Sequence, residues 1–342
     1  MRLSDFDYHL PKEQIAQYPL TERDSARLLV LQRGQYRTEH RIFRELTEYL
    51  KAGDVLVLND TMVIPARLYG RKPGGGKIEV LLLKELYTNT WEALVRRQGR
   101  QCLREECEVS FEQGISACIS RNNGTAYVKF KGDDIKKYLN KFGVMPLPPY
   151  IKRQAGQSDK EHYQTVYAEK EGAIASPTAG LHFTKELLNN LKGKGVEVHK
   201  LTLHVGCGTF KPVLVDDIRG HQMVEEAYEI PETTANAVNN AKTEYRRVIA
   251  VGTTVTRAIE ASALNAAGPG IKAGAGKASI FIYPGYKLKI IDALITNFHQ
   301  PKSTPMMLTC AFAGTETLKK AYIESSKAGY RFFSYGDAMM II

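Results

Sequence analysis

The stretch MPLPPY, Met145 to Tyr150, decides how the chain is divided. Its prolines fix φ and push each preceding residue out of the helical region, so it reads as a stiff, extended connector. The texture differs on its two sides. Upstream, from about Met62 to Met145, KIEVLLL, TWEALVRR, ECEVSF, GISACIS and TAYVKF read as short strands broken by turn signals such as GGG and RNNG. That spacing predicts a small antiparallel β-barrel or sandwich. Downstream, helix and strand patterns alternate. Thr184 heads a helix carrying Leu187, Leu188 and Leu191 and ended by Gly193 and Gly195. VEVHKLTLHV, RVIAVG, SIFIY and IIDALITNF read as strands, TTVTRAIEASAL as a helix, and RFFSYG as a closing strand after a helix from about Pro305. This is α/β organisation.

Residues 41–58 read as a helix and then a strand, with Phe43, Leu46 and Leu50 at helical spacing, Gly53 as the helix cap and DVLVLN as the short buried strand. The first 60 residues hold too few elements to stand alone. The expectation is therefore an α/β domain, its sheet mixed or barrel-like, built from residues 1–61 and 146–342, with the β-barrel of residues 62–145 inserted into it.

A chain of 342 residues suits about two such domains, and 43% apolar with 25% charged residues is globular composition. Lys and Arg number 47 against 37 Asp and Glu, a formal charge of +10 that raises the expectation of a polyanionic partner. Residues 62–145 hold 15 of those cations, Arg67, Arg71, Arg96, Arg97, Arg100 and Arg104 among them, against 9 acids. Their +6 is more than half of the excess in a quarter of the length. The five Cys are odd in number and form no CxxC pair, so they read as reduced thiols. The start, MRLSDFDYHLP, places charges where a signal peptide needs an apolar run, and no stretch approaches the ~18 apolar residues of a membrane span. A soluble, cytoplasmic protein is expected. HExxH, close carboxylate clusters and Cys/His pairs are absent, so no metal site is expected. GAGKAS (Gly274 to Ser279) and KPGGGK fail the phosphate-loop pattern and read as turns.

Four strand ends carry the groups most suited to chemistry, because ligands of open α/β sheets collect beyond the carboxyl ends of strands. The first is Asn59-Asp60, ending DVLVLN. In the second, LHVGCGTF, His204 follows an apolar strand and Gly206 and Gly208 admit a ligand close to the backbone. The third is VGTTVTRAIE, where Gly252 ends a strand, Thr253 or Thr254 caps a helix, and Arg257 and Glu260 share a helix face. The fourth, TNFHQPKST, offers Asn297, His299, Lys302 and Ser303. Taken singly, a strand-end His is more often structural, a Thr pair is most simply a cap, and Arg257–Glu260 is most simply a surface pair. Converging in one domain, the four turns predict a shared pocket. The basic segment has a bland reading too, as a solvated surface. Its aromatics Tyr69, Trp91, Tyr127 and Phe130 could stack on bases, though core is their commoner use in strands.

LNDTMVIPARL, MPLPPYI, HYQTVYA, SPTAGLHFT, LHVGCGTFKPV, VGTTVTRAIE, FIYPGY, ITNFHQPKST and FSYGDAM recur in this order from residue 58 to 339. Together with the opening DFDYHLPKEQIAQYPLTERDSARLLVL, they resemble the S-adenosylmethionine:tRNA ribosyltransferase-isomerase family of queuosine biosynthesis over essentially the whole chain. The resemblance implies an α/β domain with an inserted β-barrel, and a metal-free enzyme with S-adenosylmethionine as co-substrate; a monomer is expected. It implies transfer and isomerisation of the ribosyl moiety onto 7-aminomethyl-7-deazaguanine at the tRNA wobble position. Epoxyqueuosine-tRNA, adenine and methionine are the products. Set against that chemistry, His182, His204 and His299 are the candidates for removing the 5′ proton, His182 first because a helix N-terminus beside it would keep it neutral. Asp60 or Glu260 would orient the acceptor amine. Ser176, Thr178, Gly206, Gly208, Gly252, Thr253, Thr254, Arg257, Asn297 and Lys302 would bind S-adenosylmethionine, and Arg67, Arg71, Arg96, Arg97 and Arg100 the tRNA. Met62, Cys207, Gln300 and Pro305 depart from the family pattern without removing any of these groups. The competing readings are an S-adenosylmethionine-dependent RNA methyltransferase, which should carry a Gly-rich loop after its first strand, and a non-catalytic tRNA-binding protein.

Overall fold

In this computed structural model the described residues are 1–97, 106–122, 125–132, 135–206, 208, 212–266 and 268–342, Arg97 in its backbone alone. The chain opens with a hairpin, β1 (Arg27–Gln32) and β2 (Arg37–Ile42), and reaches the apolar strand β3 (Val55–Asn59) through a 3-10 helix at Phe43–Glu48. After the short β4 (Thr61–Val63) come β5 (Arg67–Arg71), β6 (Lys77–Tyr87), β7 (Thr90–Arg97), β8 (Cys107–Ser110), β9 (Ser116–Asn122) and β10 (Thr125–Lys131). These last six close into a barrel of order β10-β7-β6-β5-β8-β9 with antiparallel pairings throughout. Alternate residues such as Leu68, Val80, Trp91, Val109, Ile119 and Val128 fill it.

Helices α1 (Ile135–Phe142) and α2 (Asp159–His162) lead to β11 (Lys170–Ala173), which pairs in parallel with β4. Then follow α3 (Lys185–Gly193), β12 (Glu197–Leu203), β13 (Glu226–Ile230), α4 (Glu232–Thr243), β14 (Val248–Val251), α5 (Thr253–Leu264) and β15 (Gly274–Ala278). β16 (Ala293–Asn297), α6 (Thr304–Ala313), α7 (Thr315–Lys327) and β17 (Ala338–Ile341) complete the elements. The large sheet has nine strands in the order β15-β13-β12-β3-β14-β16-β17-β1-β2. β12, β3, β14 and β16 run parallel, so their carboxyl ends share one edge.

Strand alternation splits the apolar residues between two cores. Val55, Val57, Leu201, Leu203, Val248 and Ala250 face one side with α4 to α7, while Leu56, Leu58, Ile249, Val251 and Ile295 face the other with α3 and Phe43. The fold is thus a mixed-sheet α/β unit with a closed antiparallel barrel, as the sequence predicts. The barrel's entry and exit lie side by side: Arg67 N donates to Val144 O at 3.1 Å and Val144 N to Arg67 O at 2.9 Å.

Several element readings change. GAGKA is an edge strand rather than a turn, because the bare backbone of Gly276 lets the Tyr228 ring of the neighbouring strand lie against it. SIFIY is not a strand. RFFSYG is a turn in which Phe333 has φ 72°, and the strand is the following AMMI. Residues 43–48 form a 3-10 rather than an α-helix, and the hairpin β1–β2 was not read from the sequence at all.

Candidate active site

At the shared carboxyl edge a cavity opens between segment 175–179, the end of β14, the end of β16 and the 333–334 turn. Its wall includes Ser176, Thr178, Gly252, Thr253, Thr254, Thr296, Asn297, His299, Phe333 and Ser334. Three of the four strand-end turns therefore converge on it, since Val205 follows β12 in the same wall. The fourth lies beneath: Asn59 Nδ2 donates to Thr254 Oγ1 at 3.2 Å and to Leu203 O at 3.0 Å, fastening three of the parallel strands together.

Gly252, with φ 90°, is the N-cap of α5, and neither Thr253 nor Thr254 supplies the side-chain cap expected from the sequence. The N-terminal end of a 12-residue helix thus faces the cavity, the positive end of its dipole turned to the ligand side. Ser176 Oγ and Asn297 Oδ1 are buried without a hydrogen-bond partner among the described residues. Unpartnered polar atoms in a cavity wall are groups that a ligand can satisfy. His299 lines the same wall, with Nε2 2.7 Å from Thr296 Oγ1, and burial pushes its pKa down to about 3. It is a neutral imidazole at any physiological pH. The hydroxyl of Tyr150, 2.5 Å from Ser334 Oγ, is pushed up to about 12 by burial and stays protonated.

Not every sequence-derived residue arrives here. His182 is only 5% exposed and packs on Phe43 with ring centroids 5.0 Å apart. It is absent from the cavity wall, and Asn297 Nδ2, 3.3 Å from His182 Nε2, stands on the cavity side. Its pKa is lowered to about 4, by burial first and by the charges of Arg331 and Arg23 next. Arg257 and Glu260 are not a surface pair. Arg257 is ion-paired to Glu226 and donates to Ala278 O at 2.8 Å. Glu260, fully buried, accepts from Lys289 N, Ile290 N, Ile291 N and Tyr286 Oη, so its carboxylate holds the 286–291 loop rather than a substrate amine. Lys302 pairs with Asp7 at 2.7 Å. Asp60 is buried and accepts from Thr202 Oγ1 at 2.6 Å; burial raises its pKa.

His204 and Gly206 open instead onto a second cleft, between the sheet edge and the barrel, and Val205 belongs to both walls. His204 is half-buried, its Nδ1 2.8 Å from Thr61 Oγ1, and burial lowers its pKa against the opposing charge of Asp60. Gly208 lies outside both walls, against Val224. In the barrel, Arg67 is half-buried, paired to Glu79 at 3.2 Å and bonded to Leu147 O, so it fixes the connector. Arg71 and Arg96 are exposed. The side chain of Arg97, and all of Arg100, Arg104 and Cys207, lie outside the described residues. Trp91 and Phe130 are barrel core, whereas Tyr69 is 54% exposed.

Residues 3–341 match the queuosine biosynthesis protein family. The chain belongs to that family. It is 51% identical to an S-adenosylmethionine:tRNA ribosyltransferase-isomerase of Sulfurihydrogenibium sp. (strain YO3AOP1), with all of both chains covered. Proteins of the same name from Desulforamulus reducens and Thermotoga maritima are each 48% identical, again over all of both chains. Among solved structures, the S-adenosylmethionine tRNA ribosyltransferase of Thermotoga maritima is similar at 39% identity and a TM-score of 0.57, over 99% of this chain and 100% of that one. Like those relatives, this family member is an enzyme. No helix among its described residues is long and apolar enough to cross a membrane, and they contain no group of three or more His, Cys, Asp or Glu that could hold a metal ion.

Sequence reasoning missed Tyr150, Thr296, Phe333 and Ser334 in the wall of this family member. FSYGD carries turn composition that distinguishes it from a strand, and that was the available signal for two of them.

Proposed function

We propose that the chain transfers and isomerises the ribosyl moiety of S-adenosylmethionine onto 7-aminomethyl-7-deazaguanine at the wobble position of tRNA. The products are epoxyqueuosine-tRNA, adenine and methionine. The observation that carries this reading is the cavity itself, where a helix N-terminus, an unpartnered hydroxyl and an unpartnered amide oxygen converge without a charged side chain in the wall. The helix end suits the methionine carboxylate, and Ser176, Thr178 and Asn297 suit ribose hydroxyls. Removal of the 5′ proton needs a neutral base within reach. Of the three histidines His299 alone lines this wall, and it replaces His182 in that role. His182 positions Asn297 from behind.

The same reading assigns residues 1–61 with 146–342 to the catalytic unit and 62–145 to an inserted barrel that receives tRNA through Arg71 and Arg96. The protein is taken as a cytoplasmic monomer needing no metal. The test is product analysis: incubate the protein with tRNA carrying the aminomethyl base and S-adenosylmethionine, and separate the small molecules by chromatography. Free adenine and methionine are expected. S-adenosylhomocysteine would identify a methyltransferase instead, and no turnover a binding protein.

A further inference from the structure

The cleft between barrel and sheet edge carries the opposite charge to the rest of this basic chain. Five carboxylates line it, Glu85, Glu92, Glu171, Glu225 and Glu226, against Lys84 and Lys136, within a chain of formal charge +10. Three of the five are engaged: Glu85 pairs with Lys136 at 3.1 Å, Glu225 with Lys277 at 3.0 Å, and Glu226 with Arg257. Glu92 of β7 and Glu171 of β11 make no ion pair among the described residues, and they belong to different elements of the wall, the barrel and the two-stranded β4–β11 sheet. A cation entering the cleft can therefore be paired by these two carboxylates without displacing an existing ion pair.

The remaining wall defines what carries the cation. Ile64, Leu83, Leu139 and Val205 are apolar, and Trp91 forms part of the barrel side, 5% exposed and with an indole N–H that has no partner among the described residues. His204 is held beside them. Gly172, φ 147°, makes room for it, since a Cβ at that position would stand 2.9 Å from the imidazole. Burial lowers the pKa of His204 and so favours the uncharged imidazole, which adds hydrogen-bonding capacity without repelling a cation. Apolar walls, an unsatisfied donor and two carboxylates suit a flat heterocycle bearing a primary ammonium group. Val205 separates this cleft from the cavity by the width of one residue.

We infer that this cleft is the acceptor subsite, holding the aminomethyl base of tRNA with its ammonium group between Glu92 and Glu171, and that these two carboxylates select it over unmodified guanine. This rests on the reading under Proposed function, which places S-adenosylmethionine across Val205. The selection is local to the amine, so affinity for the remainder of the RNA is independent of it.

The test uses the full-length protein and two synthetic anticodon stem-loops that differ only at the wobble position, guanine or 7-aminomethyl-7-deazaguanine, with binding followed by fluorescence anisotropy. The wild type prefers the aminomethyl stem-loop by roughly ten- to a hundredfold, the span of one or two charge-assisted hydrogen bonds. Glu92→Gln with Glu171→Gln abolishes the preference and leaves the guanine stem-loop's affinity within about twofold. Glu171→Lys, at an exposed position where folding is not at stake, reverses the preference. Preserved discrimination in either variant overturns the inference, as does equal weakening of both stem-loops. Adenine release by the wild-type protein is measured alongside. Release with intact discrimination in the variants sinks the subsite alone, whereas no release sinks the functional reading beneath it.

Discussion

Glu260 offers the sharpest separation of a structural from a chemical role. Its two oxygens accept from Lys289 N at 2.9 Å, Ile290 N at 3.0 Å, Ile291 N at 3.4 Å and Tyr286 Oη at 3.0 Å. Glu260→Ala removes all four acceptor contacts. The Tyr286 hydroxyl and the Lys289 amide can turn to water. The bonds to Ile290 and Ile291 are buried, and each stranded donor costs about 1–3 kcal/mol. The two together cost about 2–6 kcal/mol. Glu260→Gln keeps one acceptor oxygen and the side-chain volume and should lose about half of that. The assay is urea unfolding followed by far-UV circular dichroism, because the helices belong almost entirely to the α/β unit. The only tryptophan, Trp91, sits in the barrel and reports that unit separately by fluorescence. A lowered dichroism midpoint with the Michaelis constant for S-adenosylmethionine unchanged is expected. An unchanged midpoint with turnover abolished would refute the reasoning and return the carboxylate to the substrate.

Two further outcomes follow from charge and burial. His182 and His299 have folded pKa values of about 4 and about 3, below the ordinary value of 6.5, so the unfolded chain binds protons that the folded chain refuses. Their contribution to stability is full above pH 6.5 and is lost as pH falls through 4 and 3; in His182→Asn the decline of stability between pH 6.5 and 4 should be shallower by up to one proton, and single-turnover chemistry should fall further in His299→Ala than in this variant. For the barrel, four phosphate contacts on single-stranded RNA would weaken tRNA affinity roughly 50-fold between ~50 and ~200 mM salt; Arg71→Ala with Arg96→Ala should flatten that slope in a filter-binding titration, and an unchanged slope would make the basic face a solvated surface.

The strand-end turns were legible because they depend on two local signals, an apolar run and the polar residues that stop it. Parallel pairing of β12, β3, β14 and β16 then brings them to one edge without further information. The barrel strands were legible for the same reason. Partners remote in sequence were not. Arg257 finds Glu226, Lys302 finds Asp7 and Glu260 finds residues 286–291 only once the chain has folded back, so each looked free to meet a substrate. The direction of His182 was equally hidden, because the 3-10 turn at Thr178–His182 rotates its ring inward beneath Asn297. The edge strand at Gly274–Ala278 was concealed by glycines whose purpose lies in Tyr228, on another strand.

The place of β17 bears on how the protein is made. This strand lies between β16 and β1, and Arg27 N donates to Asp337 Oδ1 across 310 residues of sequence. During synthesis the hairpin β1–β2 therefore leaves the ribosome long before the strand that anchors it exists. The barrel, whose six strands lie between Arg67 and Lys131, can close while the large sheet still lacks its seam. A ribosome that stalls before Ala338 leaves a finished barrel beside an open sheet whose hairpin has no neighbour, the kind of exposed edge that chaperones and proteases recognise.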